Sequence, residues 1–262
     1  MHKTTTLWHD RFKQQLQWTK NTRDFIYRKL NFSNYTSFLE LGCGTGALLE
    51  EVATRFISSH QHLGKNKMLA GIDHNTEFID QSRLLMKEIA PGVEIKVADA
   101  TSIPYPEGTF EVVYCHYFLM WNEDQKRARV VQEAKRVLKT GGWFVCFAEP
   151  DYLGWILEPE TKLREFLMHS LMVSGGDLSS GRKLVRDLAG FKDVVIDCCS
   201  QPWTGATLQQ TFATEWNFYE NLLADKEEMV EALVELKQQD LDATTRGIKL
   251  SFLPVFYGYG RK

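Results

Sequence analysis

A glycine-rich stretch at residues 40–46 constrains the fold of this chain more than any other feature. It reads Glu-Leu-Gly-Cys-Gly-Thr-Gly, follows an apolar run typical of a buried strand, and precedes residues with helical spacing. Glycines at alternate positions let the backbone turn sharply and approach a ligand closely, which side chains there would prevent. The stretch predicts a strand, a tight turn and a helix around a nucleotide-like ligand, although an ordinary strand-to-helix turn has the same spacing.

Short apolar runs alternate with segments of helical periodicity from residue 36 onward. They predict strands at about 36–41, 68–73, 93–98, 110–115, 143–148, 193–198 and 249–259. A helix after the second strand has Asn75 and Thr76 as candidate caps, and another is predicted over 125–139. This alternation indicates an α/β fold with a doubly wound parallel sheet covered by helices on both faces.

Three segments fall outside this alternation, at residues 1–35, 150–177 and 203–247. We expect an N-terminal helical cap over 1–35 and a core domain over 36–262, with lid insertions at about 150–177 and 203–247. The last segment contains two amphipathic helix patterns. Its aromatic residues also suit core packing or a dimer contact, which are the more common roles of such a stripe.

The composition excludes several classes of protein. Hydrophobic residues make up 44%, and a formal net charge of -3 without a basic tract argues against a nucleic-acid partner. Five cysteines without a C-x-x-C pair indicate neither a disulfide framework nor a metal site, and reduced thiols suit a cytoplasmic protein. We also expect no signal peptide and no membrane insertion, because no apolar run approaches the roughly 20 residues that span a bilayer. The oligomeric state stays open.

Acidic residues stand at the ends of the first three predicted strands. They are Glu40, Asp73 and Asp99. The glycine stretch also satisfies the dinucleotide fingerprint G-x-G-x-x-G/A, and Asp73 could bind ribose hydroxyls in either kind of site. Asp99, however, can accept a hydrogen bond from an adenine amine, with no need for a pyrophosphate. The third acid therefore favours an adenosine ligand other than NAD.

At this point the chain resembles the class I S-adenosylmethionine-dependent methyltransferases, and within them the small-molecule branch of ubiquinone/menaquinone-type enzymes. The matching motifs are FLELGCGTG at 38–46, GID at 71–73, ADATSIPYPEGTFEVVYC at 98–115 and RVLKTGGWF at 136–144. The likeness covers 36–148 and, more loosely, 178–198. The resemblance implies a Rossmann-like, seven-stranded sheet with an antiparallel last strand and helical lid insertions over the substrate.

The resemblance also implies a set of contacts to S-adenosyl-L-methionine. Glu40, Gly42 and Gly44 would line its methionine moiety, Asp73 its ribose, and Asp99 with Ala100 its adenine. We add the neighbouring Cys43, His74 and Cys115 to the predicted cofactor-binding residues.

Candidate residues for closure and catalysis lie on both sides of this loop in the sequence. Trp18 and Arg23 are predicted to close over the cofactor, with Arg23 binding its carboxylate, unless Arg23 is simply solvated. His116 follows the fourth strand and is the candidate general base, although a lone histidine there is more often structural. Tyr117 could place its ring on the sulfonium or pack beneath the lid. Glu149 could contact substrate.

The predicted function is methyl transfer to a small-molecule acceptor by in-line displacement, which depends mainly on alignment in a dry pocket. Two alternatives remain from the sequence: an NAD-dependent oxidoreductase, disfavoured by Asp99, and a regulatory protein that binds the cofactor without transferring its methyl group. A nucleic-acid methyltransferase is disfavoured because no N-P-P-Y-type motif follows the fourth strand.

Overall fold

The computed structural model describes residues 3–59, 62–63, 67–223 and 227–262. The helices are α1 (Lys3–Trp18), α2 (Lys20–Lys29), α3 (Ala47–Val52), α4 (Thr76–Ile89), α5 (Asp124–Val137), α6 (Lys162–Val173), α7 (Leu184–Asp187), α8 (Gly205–Leu223) and α9 (Glu227–Thr245). The strands of the main sheet are β1 (Ser37–Leu41), β2 (Met68–Asp73), β3 (Glu94–Val97), β4 (Phe110–Cys115), β5 (Leu138–Pro150), β6 (Lys192–Cys198) and β7 (Val255–Arg261).

The main sheet has seven strands in the order β3-β2-β1-β4-β5-β7-β6. The pairs β3/β2, β2/β1, β1/β4 and β4/β5 are parallel, whereas β7 is antiparallel to both of its neighbours. The predicted Rossmann-like, seven-stranded fold with an antiparallel last strand is confirmed. Because the strand order reverses between β1 and β4, their carboxyl ends flank the crevice where doubly wound sheets bind ligands.

The predicted bounds of β1 to β4 agree with the structure to within one residue. Asn75 caps α4 as predicted, since its side chain accepts a hydrogen bond from the Phe78 amide at 3.1 Å. The terminal run predicted as one strand over 249–259 is instead two strands, Leu250–Phe252 and β7. Pro254 lies between them and has no N–H to donate to a sheet ladder, so pairing is interrupted there.

Two hydrophobic clusters cover the two faces of the sheet. One contains Leu49 of α3 and Ile79 of α4, and the other contains Val130 of α5 and Leu184 of α7. The first cluster also includes Tyr27 of α2, whose ring lies 5.3 Å from that of Phe147. The N-terminal segment is therefore packed into the core of the fold.

The two insertions lie together although the sequence separates them. Helices α6, α8 and α9 share a buried cluster that includes Leu167, Trp216 and Leu236. The short strands Ile156–Glu158, Trp203–Thr204 and Leu250–Phe252 form a second, antiparallel sheet that joins the insertions to the end of the chain. Within the described part of the chain, every helix is too short or too polar to cross a membrane.

Candidate active site

A cavity of about 450 Å³ lies at the carboxyl ends of β1, β2 and β4, and we call it the sheet-edge cavity. The glycine stretch and Asp73 line one side, α1 contributes Trp8 and Phe12, and the loop after β4 completes the wall. This volume falls within the range of about 300–1,000 Å³ that is usual for small-ligand pockets. The site therefore occupies the crevice that the strand order predicts.

The glycine stretch adopts a backbone conformation that residues with a side chain rarely adopt. Gly42, Gly44 and Gly46 have φ angles of 67°, 51° and 88°, in the left-handed region that glycine adopts without a steric cost. The Gly44 amide donates to Asp73 Oδ2 at 2.9 Å, and the other oxygen of Asp73 accepts from the Asn75 amide at 2.8 Å. The turn after β1 is thus fastened to the acid at the end of β2.

Glu40 contributes a carboxyl group without a full set of partners. Its side chain is buried, and its Oε2 makes no hydrogen bond within the described part of the protein. Burial raises the pKa of Glu40 well above its ordinary value. A buried polar atom at a cavity wall without a partner indicates a place for a polar ligand group.

Helix α1 covers the glycine stretch. A Cβ atom added to Gly44 would lie 2.9 Å from Cε2 of Phe12, and one added to Gly42 would overlap the ring of Phe118. His9 Nδ1 lies 2.7 Å from Thr45 Oγ1, which links α1 to the same turn. Sequence reasoning missed His9, because nothing in the local pattern distinguishes it from a solvated residue on an amphipathic helix.

The loop after β4 is fixed by a buried carboxylate. Glu149 Oε1 accepts from the amides of Phe118 and Leu119 at 3.0 and 2.7 Å, and Oε2 accepts from the Met120 amide at 3.0 Å and from Ser180 Oγ at 2.8 Å. Glu149, which the sequence predicts as a possible substrate contact, is instead the anchor of the loop that carries the catalytic candidates.

His116 lines the sheet-edge cavity and is held by a hydroxyl group. Its Nε2 lies 2.9 Å from Thr19 Oγ1. Burial lowers the pKa of His116 well below 6.5, and the positive charge of Arg23 lowers it further. The imidazole is therefore neutral at neutral pH, which is the form that can accept a proton.

Tyr117 has a backbone conformation that is uncommon for its residue type. Its φ angle is 50°, and its amide donates to the Ala148 carbonyl at 2.8 Å. Non-glycine residues in this region are often found at functional sites, where the surrounding structure fixes the strained conformation. Tyr117 lines the sheet-edge cavity and also a second cavity beside it.

The second cavity, of about 310 Å³, is bounded by the two insertions and by α1, and we call it the insertion cavity. It adjoins the sheet-edge cavity, because six residues line both: Arg11, Tyr117, Tyr152, Leu171, Phe218 and Leu222. The sequence alone gives no sign that Arg11 lies at this junction. Its partner Glu215 is 204 positions away, so no local pattern could identify the pair.

The structure brings together eight of the thirteen predicted site residues. Glu40, Gly42, Cys43, Gly44, Asp73, His74, His116 and Tyr117 all line the sheet-edge cavity. Trp18, Arg23, Asp99, Ala100 and Cys115 do not, although Trp18 lines the insertion cavity instead.

The placement of Arg23 corrects its predicted role at the cofactor carboxylate. Its side chain is 1% exposed, and its Nε and Nη2 donate to the two carboxylate oxygens of Glu51 at 3.1 and 2.6 Å. Its Nη1 donates to the Leu16 carbonyl and to Thr19 Oγ1 at 2.7 and 2.6 Å. Arg23 does make the predicted bidentate contact with a carboxylate, but this carboxylate is that of Glu51 and not that of the cofactor.

The remaining three residues have different surroundings. Cys115 is fully buried with its Sγ 3.6 Å from that of Cys146, so its predicted contact with the cofactor is corrected to a core contact. Ala100 is buried in the core cluster on one face of the sheet. Asp99 is exposed near the sheet edge, and its Oδ1 accepts from the amide and the hydroxyl of Thr101, both at 2.8 Å.

Comparison with known proteins gives consistent matches. A family described as a methyltransferase domain matches residues 38–142. An uncharacterised methyltransferase of Schizosaccharomyces pombe is 27% identical over 56% of this chain and 52% of its own length. The demethylmenaquinone methyltransferase of Lactococcus lactis is 28% identical over 52% of this chain and 49% of its own length. This chain thus spans about half the length of these curated relatives.

A solved structure supports the fold over a longer stretch. A putative methyltransferase of Bacillus halodurans superposes with a TM-score of 0.58 at 17% identity, covering 86% of this chain and 91% of that protein. The similarity extends beyond the residues that the family match covers, and at this identity it concerns the fold alone.

Proposed function

We propose that this chain, a member of the class I S-adenosylmethionine-dependent methyltransferases, transfers a methyl group from S-adenosyl-L-methionine to a small-molecule acceptor. The observation that carries the proposal is the pair of adjoining cavities, one at the glycine stretch and one beneath the insertions. They offer a cofactor site and an acceptor site that meet at Tyr117. We also propose that the insertions act as the lid of the acceptor site.

The residues of the sheet-edge cavity fit the cofactor. The unpartnered Oε2 of Glu40 and the backbone of Gly42 and Gly44, which lines the cavity, suit its amino-acid end. Asp73 accepts one hydrogen bond on each oxygen, and because a carboxylate has about four acceptor positions, it can also accept from ribose hydroxyls. Asp99 follows β3 at the same edge, where we assign it to the adenine.

When bound, the sulfonium of this cofactor supplies an electrophilic methyl group. The protein's contribution is to align the acceptor with that methyl and to keep water out. We assign His116 as the group that takes the proton from an acceptor hydroxyl or amine, with Thr19 fixing the imidazole ring. Tyr117 borders both cavities and would orient the acceptor.

The size of the insertion cavity supports a small acceptor. A volume of about 310 Å³, enclosed by side chains of α1 and both insertions, is at the lower end of the range for ligand pockets. The net charge of -3 offers no general attraction for a polyanion.

Two measurements on the purified chain test the proposal. Calorimetric titration with S-adenosylhomocysteine and with NAD decides the ligand class, and we expect binding of the first alone. Incubation with methyl-labelled cofactor and a cell extract should then place label in the low-molecular-weight fraction. Tighter NAD binding would contradict the cofactor assignment. Label in precipitated protein or nucleic acid would contradict the acceptor class, and cofactor binding without transfer would support the regulatory alternative.

A further inference from the structure

We propose that the insertion cavity selects an uncharged acceptor with a flat ring system. This inference rests on the proposed function, to which it adds the chemical class of the acceptor. Its basis is the combination of aromatic walls, an internally neutralised ion pair and two phenol hydroxyls at the junction with the sheet-edge cavity.

Seven aromatic side chains form part of the wall of the insertion cavity. The rings of Trp18 and Trp203 meet edge to face with centroids 5.1 Å apart, and Tyr152 and Trp155 meet similarly at 6.3 Å. Phe218 lines the side shared with the sheet-edge cavity. Aromatic rings favour offset and edge-to-face contact with other rings, so these walls suit a planar ring better than a flexible aliphatic chain.

The charges in the cavity wall cancel each other. Among the described residues that line the cavity, Arg11 and Glu215 are those with charged side chains, and Arg11 Nη1 lies 2.7 Å from Glu215 Oε1. Gln14 Nε2 donates to the same oxygen at 2.5 Å, and Tyr219 donates to Oε2 at 2.8 Å. Neither charge is left to compensate an ion in the cavity. Transferring an uncompensated ion from water would cost several kcal/mol.

The position of Arg11 also disfavours a cationic acceptor. Its guanidinium carbon lies 4.5 Å from the centroid of the Trp18 ring and 4.4 Å from that of the Phe218 ring. These ring faces would otherwise be available to a methylated ammonium group. A second cation here would meet occupied aromatic faces and a like charge.

Two phenol groups lie at the junction of the insertion cavity and the sheet-edge cavity. Tyr117 and Tyr152 line both cavities, so their phenol groups border the junction between them. Burial raises the pKa of both phenols, so they remain protonated donors at neutral pH. They can bind a hydroxyl or carbonyl oxygen on the edge of a ring and direct that edge toward the sheet-edge cavity.

Three ligands of similar shape test this selectivity on the full chain saturated with S-adenosylhomocysteine at pH 7. They are 2-naphthol, the anion 2-naphthoate and the cation 2-naphthyltrimethylammonium. Calorimetric titration should give a Kd for 2-naphthol at least tenfold below that of either ion. Equal or tighter binding of either ion would overturn the inference, and so would an absence of 2-naphthol binding at millimolar concentration.

A matched pair of variants on α8 tests the role of the ion pair. Glu215→Gln leaves the charge of Arg11 uncompensated, so the affinity for 2-naphthoate should rise at least tenfold while that for 2-naphthol changes less than threefold. Glu220→Gln makes the same change at an exposed residue paired with Lys237 at 2.7 Å, and it should alter neither affinity. An unchanged 2-naphthoate affinity in a Glu215→Gln protein with normal circular dichroism would contradict the role of the pair.

Titration with S-adenosylhomocysteine alone distinguishes a failure of the proposed function from a failure of the proposed acceptor class. Loss of that binding in the wild-type chain would count against the proposed function. Retained binding with a preference for either charged naphthalene would count only against the acceptor class.

Discussion

Alanine substitutions at two glycines with left-handed φ angles can distinguish the effect of backbone strain from the effect of local contacts on cofactor binding. Gly44 and Gly108 have φ angles of 51° and 65°, both in the left-handed region. A Cβ on Gly44 would lie 2.9 Å from the Phe12 ring, whereas one on Gly108 would meet no atom within 4 Å. Gly108 precedes β4, so it lies at the sheet edge opposite the cavities. Alanine at each site therefore introduces similar strain in different surroundings.

The expected magnitudes follow from these contacts. A left-handed conformation costs an L-residue roughly 1–2 kcal/mol, so both variants should lose about that much stability. In a domain of this size each kcal/mol lowers the melting temperature by about 2–4 °C. Gly44→Ala must also displace Phe12 and disturb the 2.9 Å hydrogen bond from its own amide to Asp73. A hydrogen bond to a charged group contributes about 1.5–3 kcal/mol, so cofactor affinity should fall roughly tenfold to a hundredfold.

The assay is calorimetric titration of both variants with S-adenosylhomocysteine, alongside their thermal unfolding. We expect normal affinity in Gly108→Ala and weakened affinity in Gly44→Ala, which should stay folded but melt at a lower temperature than Gly108→Ala because it also loses the Phe12 and Asp73 contacts. Wild-type affinity in a folded Gly44→Ala protein would refute the assignment of the glycine stretch to the cofactor. Equal weakening in both variants would show that strain, rather than local contact, controls binding.

Three further predictions concern single residues. Asp73→Asn should weaken S-adenosylhomocysteine binding by about tenfold or more, because the amide replaces a charged acceptor of ribose hydroxyls, and titration calorimetry would show this. Glu149→Ala should cost about 3–5 kcal/mol in denaturant unfolding, since three backbone amides and Ser180 lose a buried acceptor, and an unchanged midpoint would contradict that role. Because the pKa of His116 lies well below 6.5, wild-type methyl transfer should persist as the pH falls through 6.5 and decline only at more acidic pH, when the imidazole is protonated. This decline should be absent from the residual activity of His116→Asn.

The parts of the site that the sequence predicted are those fixed by local chemistry. The turn at Gly42 and Gly44 needs left-handed backbone, and Asp73 ends a strand that is apolar along its length, so both signals are visible in short windows. The carboxyl ends of parallel strands then lie at the same edge of the sheet, and this does not depend on the insertions. Local pattern and topology together were enough to place the sheet-edge cavity.

The insertion cavity could not be predicted in the same way. Its walls combine Trp18 of α1, Trp155 after β5 and Trp203 before α8, which are far apart in the sequence. Hydrophobic periodicity shows that such residues face inward, but it does not show which of them meet. The Arg11–Glu215 pair adds a further contact between distant segments, and it determines the charge balance of this cavity.

Arg23 is connected to His116 by hydrogen bonds although it does not line the sheet-edge cavity. Its guanidinium is held by Glu51 and donates to Thr19 Oγ1, and that same oxygen lies 2.9 Å from His116 Nε2. Because Arg23 donates to Thr19, the hydroxyl is held in one position and can in turn fix the ring of His116. The charge of Arg23 also disfavours the protonated imidazole, in the same direction as burial. The sequence therefore singled out Arg23 but assigned it the wrong partner: its guanidinium binds the carboxylate of Glu51 and donates to Thr19, which lies beside His116.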